Sequence, residues 1–154
     1  MLTFCTQITL PDLAETEALA AQFAAALDRG DTLLLSGDIG AGKTTFARAF
    51  IRNRLRRMED VPSPTFTLVQ TYDDGETEIW HCDLYRLTSA DEVLELGLTD
   101  AFEDAICLIE WPDRLGQETP GDALTCHFTA ETDHHTVTLT GPARWQQKLG
   151  WLND

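Results

Sequence analysis

Gly37-Asp38-Ile39-Gly40-Ala41-Gly42-Lys43-Thr44 reads G-x-x-x-x-G-K-T. A loop of this kind turns backbone N–H groups toward phosphate oxygens, sends its lysine to the outer phosphates and offers its threonine hydroxyl to Mg2+. Binding is only half of the chemistry, because hydrolysis or transfer also needs acids near the metal and the terminal phosphate. Glu110 ends the apolar run Ala105-Ile106-Cys107-Leu108-Ile109, as an acid at the tip of a strand beside the loop's own strand should. There it either holds Mg2+, directly or through water, or is an ordinary solvent-facing glutamate at a strand end. Asp83, within His81-Cys82-Asp83-Leu84-Tyr85-Arg86-Leu87, has three readings: a second Mg2+ group, a group that orients the attacking water, or one half of a salt bridge to Arg86. Ser63-Pro64-Thr65 has the form of a stiff switch loop that offers a hydroxyl to the γ-phosphate and metal, with a structural turn as the alternative. Trp111, followed by Pro112, places an indole near the phosphate end, either as a cover or as packing.

These residues need elements to position them. Residues 31–36 predict a short buried strand entering the loop, and residues 44–52 a helix leaving it. The N-terminus of that helix adds partial positive charge to the anion site. Upstream, residues 4–10 predict a strand ended by Pro11, and Asp12 predicts an N-cap for an alanine-rich helix over 13–27. Pro62 and Pro64 confine residues 61–65 to a loop. Residues 66–72 and 78–85 alternate as strands around the hairpin turn Asp73-Asp74-Gly75. A helix opens at residues 89–92 and runs through Leu96, where Gly97 stops it. Residues 105–109 predict a buried strand, 124–129 and 136–140 a second hairpin, and 143–152 a terminal helix. Strands alternating with helices around such a loop imply an α/β fold over residues 1–154: a single-domain P-loop NTPase, three-layer α/β/α, with a mixed, partly parallel central sheet.

Bulk properties narrow the classes. A chain of 154 residues fits one domain with a full core. No run of eighteen apolar residues predicts a membrane span, and the first seven residues lack the basic-then-apolar form of a signal peptide. Cys5, Cys82, Cys107 and Cys126 form no CxxC pair, and reduced cytosolic thiols are the expectation. His81, Cys82 and Asp83 are not expected to share one metal, since strand neighbours point to opposite faces.

The net charge of −15 is concentrated in residues 73–122, which hold fifteen acidic and two basic side chains. That segment opposes direct contact with nucleic acid, and reads either as a solvated surface or as a docking face for a basic partner. Arg48, Arg52 and Arg56, spaced four apart on the helix after the loop, form one basic stripe, again either solvated or a contact surface. Phe46, Phe50 and Ile51 face elsewhere on that helix, toward the sheet. The guanine-reading N-K-x-D pattern cannot occur, because the only lysines are Lys43 and Lys148 and neither follows an asparagine. ATP is therefore the expected nucleotide. With no evident arginine finger or lid, hydrolysis by the chain alone should be slow.

Four of these segments together resemble one family. Residues 37–45, Ser63-Pro64-Thr65-Phe66-Thr67-Leu68-Val69, the segment from His81 to Leu87, and Leu108-Ile109-Glu110-Trp111-Pro112 are similar, in order and spacing, to TsaE (also called YjeE). The resemblance covers about residues 8–114, with Phe66 and Cys82 standing where other aromatics are usual. It implies a cytoplasmic, Mg2+-dependent ATPase that works with the TsaD and TsaB proteins. Those partners transfer a threonylcarbamoyl group to the adenosine beside the anticodon, and tRNA is met only within that complex. Neither a membrane nor a small-molecule acceptor is implied. By position, Asp38, Ile39, Gly40, Ala41, Gly42, Lys43, Thr44 and Thr45 would hold the phosphates, with Lys43 also catalytic. Thr44 and Glu110 would bind Mg2+, Asp83 would support catalysis, and Thr16 would lie near the adenine. A P-loop small-molecule phosphotransferase and a non-hydrolysing nucleotide sensor are the competing readings.

Overall fold

The computed structural model describes residues 3–37, 42–56, 61, 62, 64, 67–89 and 91–153. Seven strands form one sheet: β1 (Thr3–Leu10), β2 (Thr32–Gly37), β3 (Val69–Asp73), β4 (Glu78–Asp83), β5 (Ile106–Glu110), β6 (Leu124–Ala130) and β7 (His135–Pro142). Their spatial order is β1-β7-β6-β2-β5-β4-β3. The pairs β4–β5, β5–β2 and β2–β6 are parallel, and the outer pairs are antiparallel, so the sheet is mixed as expected. The two central parallel strands, β2 and β5, are near-continuously apolar, as strands covered on both faces must be.

Alternation along these strands divides the core into two layers. Leu33 and Leu35 of β2, with Ile106 and Leu108 of β5, pack beneath two helices, α1 (Leu13–Ala26) and α2 (Lys43–Leu55). Phe46, Phe50 and Ile51 of α2 are fully buried there. Phe46 meets Phe23 edge-on at 5.6 Å and Phe128 at the same centroid distance, which locks both helices onto the sheet. Leu34, Cys107 and Ile109 point the other way, under α3 (Asp91–Glu95) and α4 (Leu98–Asp104). The acidic side chains of these two short helices are on their outer side. Burial pushes the Cys82 and Cys126 thiols up and that of Cys107 to about 12, so these three behave as small hydrophobes.

Local chemistry sets the element ends. The Asp12 carboxylate accepts the Glu15 N–H at 3.0 Å, the predicted cap of α1. The C-terminal carbonyls of that helix are met by Arg54 of α2, whose guanidinium donates to Ala24 O at 2.9 Å and Leu27 O at 3.0 Å. The same side chain pairs with Asp74 in the β3–β4 turn at 2.8 Å. Burial alone would raise the Asp74 carboxyl, but backbone N–H groups of Glu76 and Thr77 together with Arg54 hold it below the usual carboxylate range.

Three expectations are corrected. β3 starts at Val69 rather than residue 66, because Leu68 takes a left-handed φ of 68°. β4 stops at Asp83 rather than Tyr85, because the Asp83 carboxylate accepts the Tyr85 N–H at 3.1 Å and turns the chain. Gly97 does stop α3 as expected, and with a φ of 81° it also opens a helix that the residues did not announce, α4. The terminal segment is not one helix: α5 (Arg144–Lys148) gives way to a 3-10 turn at Gly150–Asn153. The basic stripe is also partly structural, since Arg48 donates to the Val61 carbonyl at 2.8 Å.

Gly37 ends β2 with a φ of 122°, and a Cβ there would lie 1.9 Å from the Phe128 carbonyl oxygen of β6. The first glycine of the loop motif is thus demanded by the sheet as well as by phosphate geometry. Gly37→Ala is expected to destabilise the fold by about 2 kcal/mol or more, from the left-handed strain and the forced strand separation. A urea denaturation midpoint equal to that of the unaltered protein would contradict this.

Candidate functional site

The parallel strands β2, β4 and β5 end at the same edge of the sheet, where α/β folds bind their ligands. Gly42 stands at the entrance to α2 with a φ of 106°, and Lys43 and Thr44 open the first turn of that helix. Asp38, Ile39, Gly40 and Ala41 lie outside the described residues, as do Ser63 and Thr65 of the expected switch loop. The described part of the site is therefore the helix N-terminus and what the neighbouring strands bring to it.

Glu110 is what β5 brings. Its register partner on β2 is Leu35, and its carboxylate is 3 % exposed, which excludes the solvent-facing reading. Thr44 Oγ1 donates to Glu110 Oε1 at 2.9 Å. His81 Nε2 stands 2.6 Å from Glu110 Oε2. Both carboxylate oxygens are thus engaged, as a buried charge requires. Asp83 is the register partner of Glu110 on β4 and is also buried. Alternation places it on the same face of β4 as His81. A threonine hydroxyl and a carboxylate, both hard oxygen donors, fit Mg2+, which takes one or two such groups and fills its remaining positions with water and phosphate oxygens. Among the described residues no cluster of three His, Cys, Asp or Glu side chains forms a self-sufficient metal site.

Lys43 is nearly buried. Its ammonium donates to the Gly37 carbonyl at 3.0 Å and lies 4.5 Å from the centre of the Trp111 ring. Trp111 reaches this position because it leaves β5 with a left-handed φ of 60°, a conformation that costs a non-glycine residue about 1–2 kcal/mol. Pro112 then begins a 3-10 helix at Pro112–Glu118. The Trp111 ring also packs against Tyr85 in a tilted contact, with centroids 4.8 Å apart.

A cleft of about 530 Å³ runs from Gly42–Thr45 to Thr16 of α1 and the β6–β7 turn. Thr16 therefore lines the same cavity as the phosphate-loop helix, and so do Asp133, His134 and His135. The residues announced the β6–β7 hairpin but gave no site role to its turn, and none to His81. The cue for His81 was its spacing: two residues from Asp83 on a strand, it shares that face, whereas attention to its neighbour Cys82 led only to the exclusion of a metal.

A sequence profile for the threonylcarbamoyl adenosine biosynthesis protein TsaE matches residues 10–138. The chain belongs to the TsaE family. A TsaE protein of Rickettsia bellii is 44% identical over 114 residues, spanning 74% of this chain and 79% of the relative. A TsaE protein of Bacillus subtilis is 39% identical over 128 residues, spanning 82% of this chain and 79% of the relative. The crystal structure of YdiB from Bacillus subtilis superposes with a TM-score of 0.80 at 29% identity, over 99% of this chain and 97% of that one. The TsaE match thus spans every described residue of the site, from Thr16 to His135, and the shared fold extends over nearly the whole chain.

For Lys43 to reach a phosphate it must leave the Trp111 ring. Addition of ATP is expected to change the indole emission saturably, and Lys43→Ala or Trp111→Phe to abolish the change. Saturable nucleotide binding with an unaltered spectrum would contradict the contact.

Proposed function

We propose that this chain is an ATPase of the tRNA N6-threonylcarbamoyladenosine modification machinery, acting in the cytoplasm with TsaB and TsaD. The observation that carries the reading is the hydrogen bond from Thr44 to Glu110. It joins the threonine of a phosphate-binding loop to an acid on the adjacent parallel strand, the pairing through which such a site would take up Mg2+ with the nucleotide. When bound, Mg2+ would neutralise charge on the phosphate oxygens.

Each remaining part has a role in this reading. The α2 N-terminus and Lys43 attract phosphate, and releasing Lys43 from Gly37 and Trp111 frees its charge for that task. The cleft toward Thr16 offers room for the base, and the missing guanine-reading motif favours adenine. Asp83, buried and in register with Glu110, would orient a water or complete the metal surroundings through one. Membership of the TsaE family supports the pathway, and it makes TsaB and TsaD the partners to test. The acidic surface of α3 and α4 agrees with a protein that meets tRNA only inside a larger complex. Among the described residues no helix is long and apolar enough to cross a membrane.

ATP turnover measured with and without TsaB, TsaD and tRNA tests this directly. The chain alone is expected to turn over slowly and the full mixture faster, with Lys43→Ala and Glu110→Ala each lowering the stimulated rate about 100-fold. No stimulation by the partners, with phosphoryl transfer to a small acceptor instead, would favour a phosphotransferase.

A further inference from the structure

His81 is fully buried on β4, a strand paired on both sides: His81 stands opposite Gln70 of β3 and Leu108 of β5. Its backbone is therefore held by two ladders, and its ring has little freedom to move. Nε2 meets Glu110 Oε2 at 2.6 Å, while Nδ1 is buried without a hydrogen-bond partner. A carboxylate only accepts, so the ring nitrogen that faces it must carry the hydrogen. Of the two neutral tautomers, the one that satisfies Glu110 is Nε2–H. Placing the hydrogen on Nδ1 instead would bury an unpaired N–H and set two acceptors 2.6 Å apart.

The position of this contact matters more than its strength. Glu110 has two carboxylate oxygens, and His81 occupies the one that Thr44 does not. That leaves Oε1 alone directed at Thr44. Without the imidazole, the Glu110 side chain would be free to rotate or to turn both oxygens toward the helix, and the buried oxygen would have no donor.

We infer that His81 is a positioning residue: it holds Glu110 in the one orientation that presents a single oxygen to Thr44 and to the metal of a bound nucleotide. The inference rests on the ATPase reading and deepens it. A histidine that merely supported the sheet would affect stability and every nucleotide state alike. A positioning histidine affects the metal-dependent state selectively, because groups that orient metal-binding side chains typically change metal affinity about 10- to 100-fold.

The test measures binding of a non-hydrolysable ATP analogue to the full chain by calorimetry, in EDTA and across a Mg2+ titration. For His81→Phe, which keeps the ring's bulk but removes the donor, the Mg2+ concentration that half-maximally tightens binding should rise about 10-fold or more, with metal-free affinity within about twofold of the unaltered protein. His81→Gln, whose amide can donate at a similar reach, should recover most of the difference. An unchanged Mg2+ response in His81→Phe overturns the inference and leaves the ATPase reading standing. A wild-type protein whose nucleotide binding ignores Mg2+ overturns both. If His81→Phe does not fold, long-range 1H–15N NMR of the wild type decides: an Nε2–H tautomer that persists with the Mg2+-bound analogue supports the inference, and an Nδ1–H tautomer overturns it.

Discussion

A carboxylate buried at the end of β5 organises this molecule. Glu110 is 3 % exposed and carries charge into the interior, and it is tolerated there because each oxygen has a hydrogen-bond partner. One partner is on α2 and the other on β4, so a single side chain ties the phosphate-loop helix to two parallel strands. Hydrogen bonds to a charged group contribute about 1.5–3 kcal/mol each, and losing one partner leaves the desolvation cost uncompensated. The arrangement is consequently specific: it holds only while β2, β4 and β5 keep their register and α2 begins where it does.

The surroundings serve the same edge of the sheet. Gly37 lets β6 approach β2 at the point where the chain turns into the loop. Trp111 accepts a left-handed backbone immediately after Glu110 and lays its ring against Lys43. Left-handed backbone at the C-terminal ends of the neighbouring strands β2 and β5, unstrained at Gly37 and costly just beyond β5 at Trp111, thus lies at the edge where phosphate would enter. Farther away the fold is conventional, with aromatic packing between α1, α2 and the sheet on one face and two short acidic helices on the other.

Much of this was legible in the residues. The strand ending at Gly37, the helix entered at Gly42, the apolar run ending in Glu110 and the Asp12 cap each have a local physical cause, and each stands where expected. Asp83 could be placed at a strand end but its orientation could not, because its own side chain terminates the strand by accepting the Tyr85 N–H. The pairing of β1 with β7, across more than a hundred residues, leaves no local signature. Gly97 stops α3 as expected, but α4 was not read, because a left-handed glycine that ends one helix can begin another with the same backbone angle. The site roles of His81 and the β6–β7 turn were missed because they depend on tertiary neighbours, Glu110 in one case and the cleft beside α2 in the other.

The central claim is that Thr44 and Glu110 form the metal-accepting half of a nucleotide site. A crystal structure of the protein with Mg2+ and a non-hydrolysable ATP analogue tests it most directly. The account predicts Mg2+ about 2.1 Å from Thr44 Oγ1, with Glu110 bound to it or to one of its waters and the direct Thr44–Glu110 hydrogen bond given up. Phosphates seated in the loop with that hydrogen bond intact, and the metal held elsewhere, would contradict it.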